Sequence, residues 1–328
     1  MTTATTNQTT PAPIPLRLSV ALCTCNGADF LPEQLASYVA QTRRPDELVV
    51  CDDASTDATR SVLEAFAAQA PFPVRVVRNP ERLGVSRNFA QAVQLCAGDV
   101  VALSDQDDRW LPNKLERLAA VFEQSRAVNA VFSDAELVND HGQPVGQRLW
   151  ESVGFAPGDQ EAVRRGQAAP MLLRRNFVTG ATLAVRADLR DVMFPIPPIW
   201  GHEQWMALLA ATFGELRMIA EPLIQYRLHE RQQIGLRPLP LDFKARQANR
   251  RKRQAERQER ARDYWQRVRS TSRSAGPWTP LLAHLEARLT LPEQRWRRAL
   301  VVLREFSAGR YGWETNPWKT AWKDLFWR

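Results

Sequence analysis

Cysteine and histidine are scarce, and that scarcity narrows the chemistry first. Among 328 residues there are four cysteines, Cys23, Cys25, Cys51 and Cys96, each in or beside an apolar run. The placing suits small buried side chains in a reducing compartment, not a disulfide framework. Four scattered histidines show no Cys/His ligand spacing, so no structural zinc site is expected. The opening stretch, Met1 to Leu16, lacks both a basic start and an apolar run. Rich in Thr, Ala and Pro, residues 1–15 read as a disordered leader and not as a signal peptide. No uncharged apolar stretch reaches the roughly 18 residues that a membrane-spanning helix needs. The expectation is a cytoplasmic protein, with any membrane contact peripheral and at the inner face of the plasma membrane. Internal repeats are absent.

What is present fits a globular protein with an appendage. The chain is 44% hydrophobic and 24% charged, enough to bury a sizeable core. Its net charge of +8 hides a division: residues 1–243 carry 23 Lys/Arg against 28 Asp/Glu, and residues 244–328 carry 21 against 8. An acidic front joined to a basic tail implies chemistry in the first part and attachment in the second.

Short apolar runs alternate with helical spacing through the front part. Strands are expected at Arg17–Thr24, Glu47–Cys51, Val74–Val77 and Val100–Ser104, with helices at Phe30–Gln41, Asp57–Gln69 and Val85–Cys96 and another opening at Leu111-Pro112. Uninterrupted apolar strands in this order argue for a parallel α/β sheet with helices on both faces. Further strands are expected near Ala130–Leu137, Phe177–Val185 and Leu216–Tyr226, a turn at Asp140-His141-Gly142, and a helix around Glu203–Thr212. Ligands of such sheets sit beyond the carboxyl ends of the strands, and the Asp-rich runs fall there.

Asp105-Gln106-Asp107-Asp108 is the sharpest signal. In extended backbone, residues i and i+2 face the same way, so Asp105 and Asp107 can point together. Paired carboxylates suit Mg²⁺ or Mn²⁺, whose shells are completed by phosphate and water. The plain alternative is capping of the helix that opens near Pro112. A second cluster, Asp52-Asp53-Ala54-Ser55-Thr56-Asp57, could take the imide N–H of uracil or thymine, or a ribose hydroxyl. Its plain alternative is a turn plus an N-cap. A phosphatase Asp-x-Asp pair would need a second Asp at 54 or 55, where Ala and Ser stand.

An ordered set of motifs over about residues 16–235 resembles the family 2 glycosyltransferases of the GT-A fold. It runs through Ser19 to Gly27, Asp52 to Asp57, Asn79-Pro80-Glu81-Arg82-Leu83-Gly84-Val85-Ser86-Arg87-Asn88-Phe89 and Leu103 to Trp110. Weaker matches follow at Phe177 to Ala181, Gly201-His202-Glu203-Gln204-Trp205 and Tyr226-Arg227-Leu228-His229. The Asp-Gln-Asp-Asp variant is similar to bacterial members that build surface polysaccharides, many of them rhamnosyltransferases. The resemblance implies a GT-A (nucleotide-diphospho-sugar transferase, Rossmann-like) domain over 16–240, and the composition beyond it reads as a basic, Trp-rich helical extension over 241–328. It also implies roles. Asp53 would read the base and Asp105 hold the ribose, with Thr24, Arg87 and Asn88 completing donor binding. Asp107 and His229 would hold the metal, Glu203 would be the catalytic base, and Thr179, Gly180 and Trp205 would border the acceptor and sugar.

Two departures from the family pattern stand out: Cys25 replaces a common aromatic, and Glu203 replaces the usual Asp. For Glu203 the plain reading is a solvated residue on an amphipathic helix, and for His229 an ordinary loop histidine. The implied reaction uses a dTDP- or UDP-sugar and a saccharide or lipid-linked acceptor. A carboxylate takes the proton of the attacking hydroxyl, and the metal offsets the charge of the leaving diphosphate. One base without a second carboxylate nucleophile implies a single displacement with inversion.

The tail carries its own alternatives. Lys244–Arg273 holds twelve Lys/Arg against three Asp/Glu and is expected to be an exposed helix. Zinc-finger, helix-turn-helix and RNP patterns are missing, which argues against nucleic acid. Near the end, Trp318, Trp322, Leu325 and Phe326 approach helical spacing beside Lys319 and Lys323, as in helices that lie on anionic membranes. Packing on the catalytic part or on a second subunit is the other reading, and a homo-oligomer stays open.

Overall fold

The computed structural model describes residues 16–230, 243–313 and 316–326. The expected leader over 1–15 and the expected domain boundary near 240 lie outside the described residues. The first half alternates as its apolar runs dictate: β1 (Leu18–Thr24), α1 (Leu31–Val39), β2 (Glu47–Asp52), α2 (Thr59–Ala67), β3 (Val74–Arg78), α3 (Val85–Leu95) and β4 (Val100–Ser104). There follow β5 (Arg109–Trp110), α4 (Lys114–Gln124), β6 (Val128–Val138), β7 (Pro144–Arg148), α5 (Leu149–Ser152), α6 (Pro157–Arg164), α7 (Ala168–Arg174), β8 (Leu183–Arg186) and α8 (Arg190–Met193). Next come α9 (His202–Phe213), β9 (Glu215–Arg227), α10 (Phe243–Arg269), α11 (Thr279–Leu289), α12 (Arg295–Ser307) and α13 (Pro317–Phe326).

The strands form one sheet in the order β3-β2-β1-β4-β8-β6-β9-β5, with β7 beside β6. Only the first four are parallel to one another throughout. The expected wholly parallel sheet is therefore corrected: β8 runs antiparallel to both β4 and β6. The cause is local. Where a strand was expected from Phe177, a 3-10 turn occupies Gly180–Thr182, closed by Thr182 N–H and Oγ1 on the Thr179 carbonyl. The chain leaves that turn opposite the carboxyl end of β4, so β8 can only run back.

Strand alternation sorts the core into two layers. Ala21, Cys23, Val49, Cys51, Val101 and Leu103 face α3 and α9. Val20, Leu22, Leu48, Val50, Val100 and Ala102 face α1, α2 and α4. All four cysteines are free thiols, three of them buried in the first layer. The first layer also takes in Tyr264 and Val268 of α10 and Leu281 and Leu285 of α11.

The expectation of a solvated helix over Lys244–Arg273 is thus corrected for its last turns. A short i, i+4 stripe, Tyr264 and Val268, was enough to dock them. The Tyr264 hydroxyl lies 3.0 Å from Thr212 Oγ1, and Arg267 stacks on Trp205 while donating to the Val192 and Pro195 carbonyls. Because Tyr264 fills the same core as the sheet, Tyr264→Ala should cost about 3–5 kcal/mol, as aromatic-to-alanine changes do in cores. Urea unfolding followed by far-UV circular dichroism should show the whole transition moved. An unmoved main transition with a separate early one would instead mean that α10 folds apart from the sheet.

Candidate functional site

The carboxyl ends of three strands meet in register: Thr24 stands beside Asp52, and Leu22 beside Ser104. Past them the chain makes sharp turns, with Asn26 and Ala54 both at positive φ, 53° and 54°. For alanine that conformation is strained, and strain of this kind survives only where neighbours over-determine it. Here they do. Thr24 Oγ1 donates to Asp52 Oδ1 at 2.9 Å, Ser55 also bonds to Asp52, Asn26 N–H reaches Ser55 Oγ at 2.8 Å, and Thr56 N–H reaches Asn26 Oδ1 at 2.8 Å.

Asp53 faces the next loop. Its Oδ1 accepts Asn79 Nδ2 at 2.9 Å and Leu83 N–H at 2.7 Å, and its Oδ2 accepts Gly84 N–H at 2.9 Å. Gly84 sits at φ 84°, a left-handed conformation that glycine adopts without steric cost. Asn88 completes the knot by accepting from Asn79 at 2.9 Å and donating to the Cys51 carbonyl at 2.8 Å. Asp53 and Asn88 therefore position the start of α3 as well as bordering the cleft.

Each member of Asp105-Gln106-Asp107-Asp108 does something different. The Gln106 amide clasps the Cys25 backbone, accepting from its N–H at 2.7 Å and donating to its carbonyl at 3.2 Å. Asp108 is buried and accepts Arg227 N–H at 3.1 Å; burial and the charges of Asp107 and Asp105 push its carboxyl far up. Asp107 Oδ2 lies 2.8 Å from His229 Nε2. Asp105 is pushed up to about 7, first by burial, then by Asp107 and Glu203, with Lys114 offsetting part of it. Lys114 is itself buried, 3.7 Å over the Trp110 ring, and donates to the Ala181 carbonyl at 2.7 Å. Burial drives its ammonium down to about 7 despite Asp108 and Asp105.

Arg227 braces this turn from behind. Its guanidinium donates to the carbonyls of Asp107 at 2.9 Å and Asp140 at 2.8 Å, and pairs with Glu33 at 2.6 Å across the Phe30 ring. One buried fork thus joins the acidic turn, the β6–β7 hairpin and α1.

Across the cleft, Glu203 stands in the first turn of α9. Its Oε1 accepts Asn176 Nδ2 at 2.8 Å, and its Oε2 lies 3.2 Å from His202 Nδ1. His202 stacks flat on Phe89, with centroids 4.1 Å apart, and burial lowers its pKa, so the ring is neutral. Its tautomer with the proton on Nδ1 would present a donor to Glu203. Gly180 is required here because a Cβ would come within 2.8 Å of His202 Nε2.

The cleft so formed has a volume of about 630 Å³. Of the residues singled out from sequence, Thr24, Asp53, Asn88, Asp105, Asp107, Thr179, Gly180, Glu203 and His229 all line it. Two do not. Arg87 is exposed and outside the lining. Trp205 is corrected outright as an acceptor-side residue: it is fully buried, its indole N–H on the Met193 carbonyl at 2.8 Å, because position 205 lies on the core side of α9. Asn176, Gln106, Arg227 and Lys114 had been given no role, although Asn176 directly precedes the Phe177 to Ala181 motif.

Among the described residues no three His, Cys, Asp or Glu side chains stand in metal-holding geometry. The donor chemistry nonetheless fits a divalent cation. Asp107 and His229 are already paired, and Asp105 beside them gains no hydrogen bond that offsets its burial. Carboxylate oxygen and imidazole leave the remaining positions of a hard cation to diphosphate and water.

A sheet of this order, with an acidic turn at its carboxyl edge, is that of the GT-A fold. Residues 19–167 match the family model described as Glycosyl transferase family 2. That matched stretch is a little under half of the chain. Glu203 and His229 lie beyond the matched stretch. An uncharacterized glycosyltransferase of Nostoc sp. is 28% identical over 65% of this chain and 65% of its own length. Curated relatives of this kind are matched over 59 to 65% of their length, so the chain spans less than two thirds of them. Among solved structures, Staphylococcus aureus TarS 1–349 in complex with UDP-GlcNAc superposes with a TM-score of 0.56 at 16% identity, covering 94% of this chain and 80% of that one. A mannosyltransferase of Pyrobaculum calidifontis in complex with GDP-Man and Mn²⁺ gives 0.51 at 20% identity, covering 96% and 88%. At such identities these two likenesses show the fold.

Arg227→Leu tests the brace. Losing charge-assisted bonds to two carbonyls should cost about 2–4 kcal/mol, with half-exposed Glu33 adding little. An unchanged urea midpoint would mean that the turn stands without Arg227.

Proposed function

We propose that the protein transfers a sugar, with inversion at the anomeric carbon, from a nucleotide diphosphate to a saccharide hydroxyl, using a divalent cation. The acceptor in this reading is a growing surface polysaccharide or a lipid-linked oligosaccharide, and a dTDP-linked rhamnose is the donor to test first. One observation carries the proposal: Asp105 and Asp107 after β4 and Glu203 on α9, far apart in the chain, line one cleft.

A sugar hydroxyl is a weak nucleophile and must lose its proton as it attacks. Glu203 is suited to take it, with Asn176 fixing Oε1 and His202 beside Oε2. The carboxylate is only 17% exposed and already oriented. In this reading Asp53 and Asn88, which line the cleft, would border the base, and Asp105 would accept from a ribose hydroxyl. Asp107 and His229 would hold the cation, which when bound offsets the charge gathering on the leaving diphosphate. The Mn²⁺ and nucleotide sugars of the structural neighbours are consistent with that assignment and belong to those proteins.

Nucleotide release should be followed with dTDP-, UDP- and GDP-sugars, with Mg²⁺ or Mn²⁺ and an oligosaccharide acceptor. Glu203→Gln should lower turnover by roughly 10²- to 10⁴-fold while leaving donor binding in place. Asp107→Asn should abolish the metal dependence of donor binding. If calorimetry with metal present detected no donor binding to the unaltered protein, the transferase reading would be withdrawn.

A further inference from the structure

The last two helices carry apolar side chains that the protein leaves outside. On α12, Trp296, Leu300 and Leu303 follow i, i+4, i+7 spacing; on α13, Trp318, Trp322 and Phe326 follow i, i+4, i+8. All six are between 45% and 74% exposed. Each series forms one stripe along its helix, turned away from the small cluster of Val302, Tyr311 and Ala321 that holds the pair together. The Phe306 and Trp318 rings, 4.3 Å apart, join the helices.

Charge on these helices is sorted by side. Their two acids are buried and paired: Glu305 with His284, Arg304 and Arg310, and Asp324 with Arg288 and the Tyr311 hydroxyl. The outward cations, Arg295, Arg297, Arg304, Lys319 and Lys323, are all exposed. Each apolar stripe is therefore flanked by positive charge with no exposed carboxylate on its own helix. No described helix is long and apolar enough to cross a bilayer.

We propose that α12 and α13 together form a docking face for an anionic lipid surface. Tryptophan, leucine and phenylalanine would enter the headgroup boundary while the cations meet lipid phosphates. A second copy of the chain is the less suitable occupant. Two such faces would bring like charges together, which costs free energy. The inference stands on this surface alone and does not depend on the reading of the cleft.

The test is flotation of the full chain with vesicles of phosphatidylcholine alone or with about 30% phosphatidylglycerol. Binding to the anionic vesicles should be at least about tenfold tighter and should fall when salt is raised to about 0.5 M. Lys319→Gln with Lys323→Gln should weaken it at least about tenfold, and Trp296→Ser with Trp322→Ser should remove it. These positions are exposed, so thermal melts and nucleotide release should match the unaltered protein. Equal affinity for neutral and anionic vesicles, or none for either, would overturn the proposal. So would a dimer in sedimentation velocity that the tryptophan substitutions dissolve while vesicle binding is absent.

Discussion

Negative charge crowded at one edge of the sheet is the constraint on which the rest of this structure depends. Asp52, Asp53, Asp105, Asp107 and Asp108 all follow the carboxyl ends of β2 and β4, and Glu203 closes on them from α9. Carboxylates held this close and this far from water are tolerable only when donors or cations answer them. The fold answers some locally. Asp52 is met by Thr24 and Ser55, Asp53 by three N–H donors, and Asp108 by the Arg227 backbone with Lys114 beneath. Asp107 and Glu203 are met only by side chains of the cleft itself, His229 for the one and Asn176 with His202 for the other, and Asp105 gains no hydrogen bond that offsets its burial. That difference separates scaffold from site.

That sorting also explains the strained backbone. Asp53 can reach both the Asn79 side chain and the N–H groups of Leu83 and Gly84 because the chain turns left-handed directly after it, at Ala54. Asn26, the other non-glycine residue at positive φ among the described residues, places its amide oxygen under Thr56 N–H. Both turns therefore trade local conformational energy for filled hydrogen bonds around buried acids, which is where such outliers tend to persist. The Gln106 amide closes the arrangement by tying the acidic turn of β4 to the end of β1. Gly27 is then fixed as glycine, since a Cβ would run into that amide.

Local patterns made the first four strands and the acidic turn legible in the sequence, because apolar run length and Asp spacing act within a few residues. What stayed illegible depends on partners far away in the chain. The reversal at β8 follows from a turn at Gly180 whose reason is His202, 22 positions on. Arg227 reads as one residue of a short motif, yet its three acceptors sit at Asp107, Asp140 and Glu33. Trp205 misled because its neighbour Glu203 lines the cleft; two residues along a helix is more than half a turn, and that rotation takes Trp205 into the core. The docking of α10 was missed for the opposite reason. Its dense charge masked Tyr264 and Val268, a stripe too short to register against so many arginines.

The basic tail inverts the logic of the cleft, and the two fit together on electrostatic grounds. In the cleft, acids line the opening, so an anionic ligand would be repelled unless a cation came with it. On α12 and α13 the acids are drawn inward and answered by His284, Arg288 and Arg310, leaving cations outward. A chain with net charge +8 is in this way divided into a surface that demands positive charge and one that supplies it. Charges separated by more than the screening length of about 8 Å at physiological salt act nearly independently. The negative charge of the cleft and the positive charge of the tail are then separate properties, each set by its own neighbours.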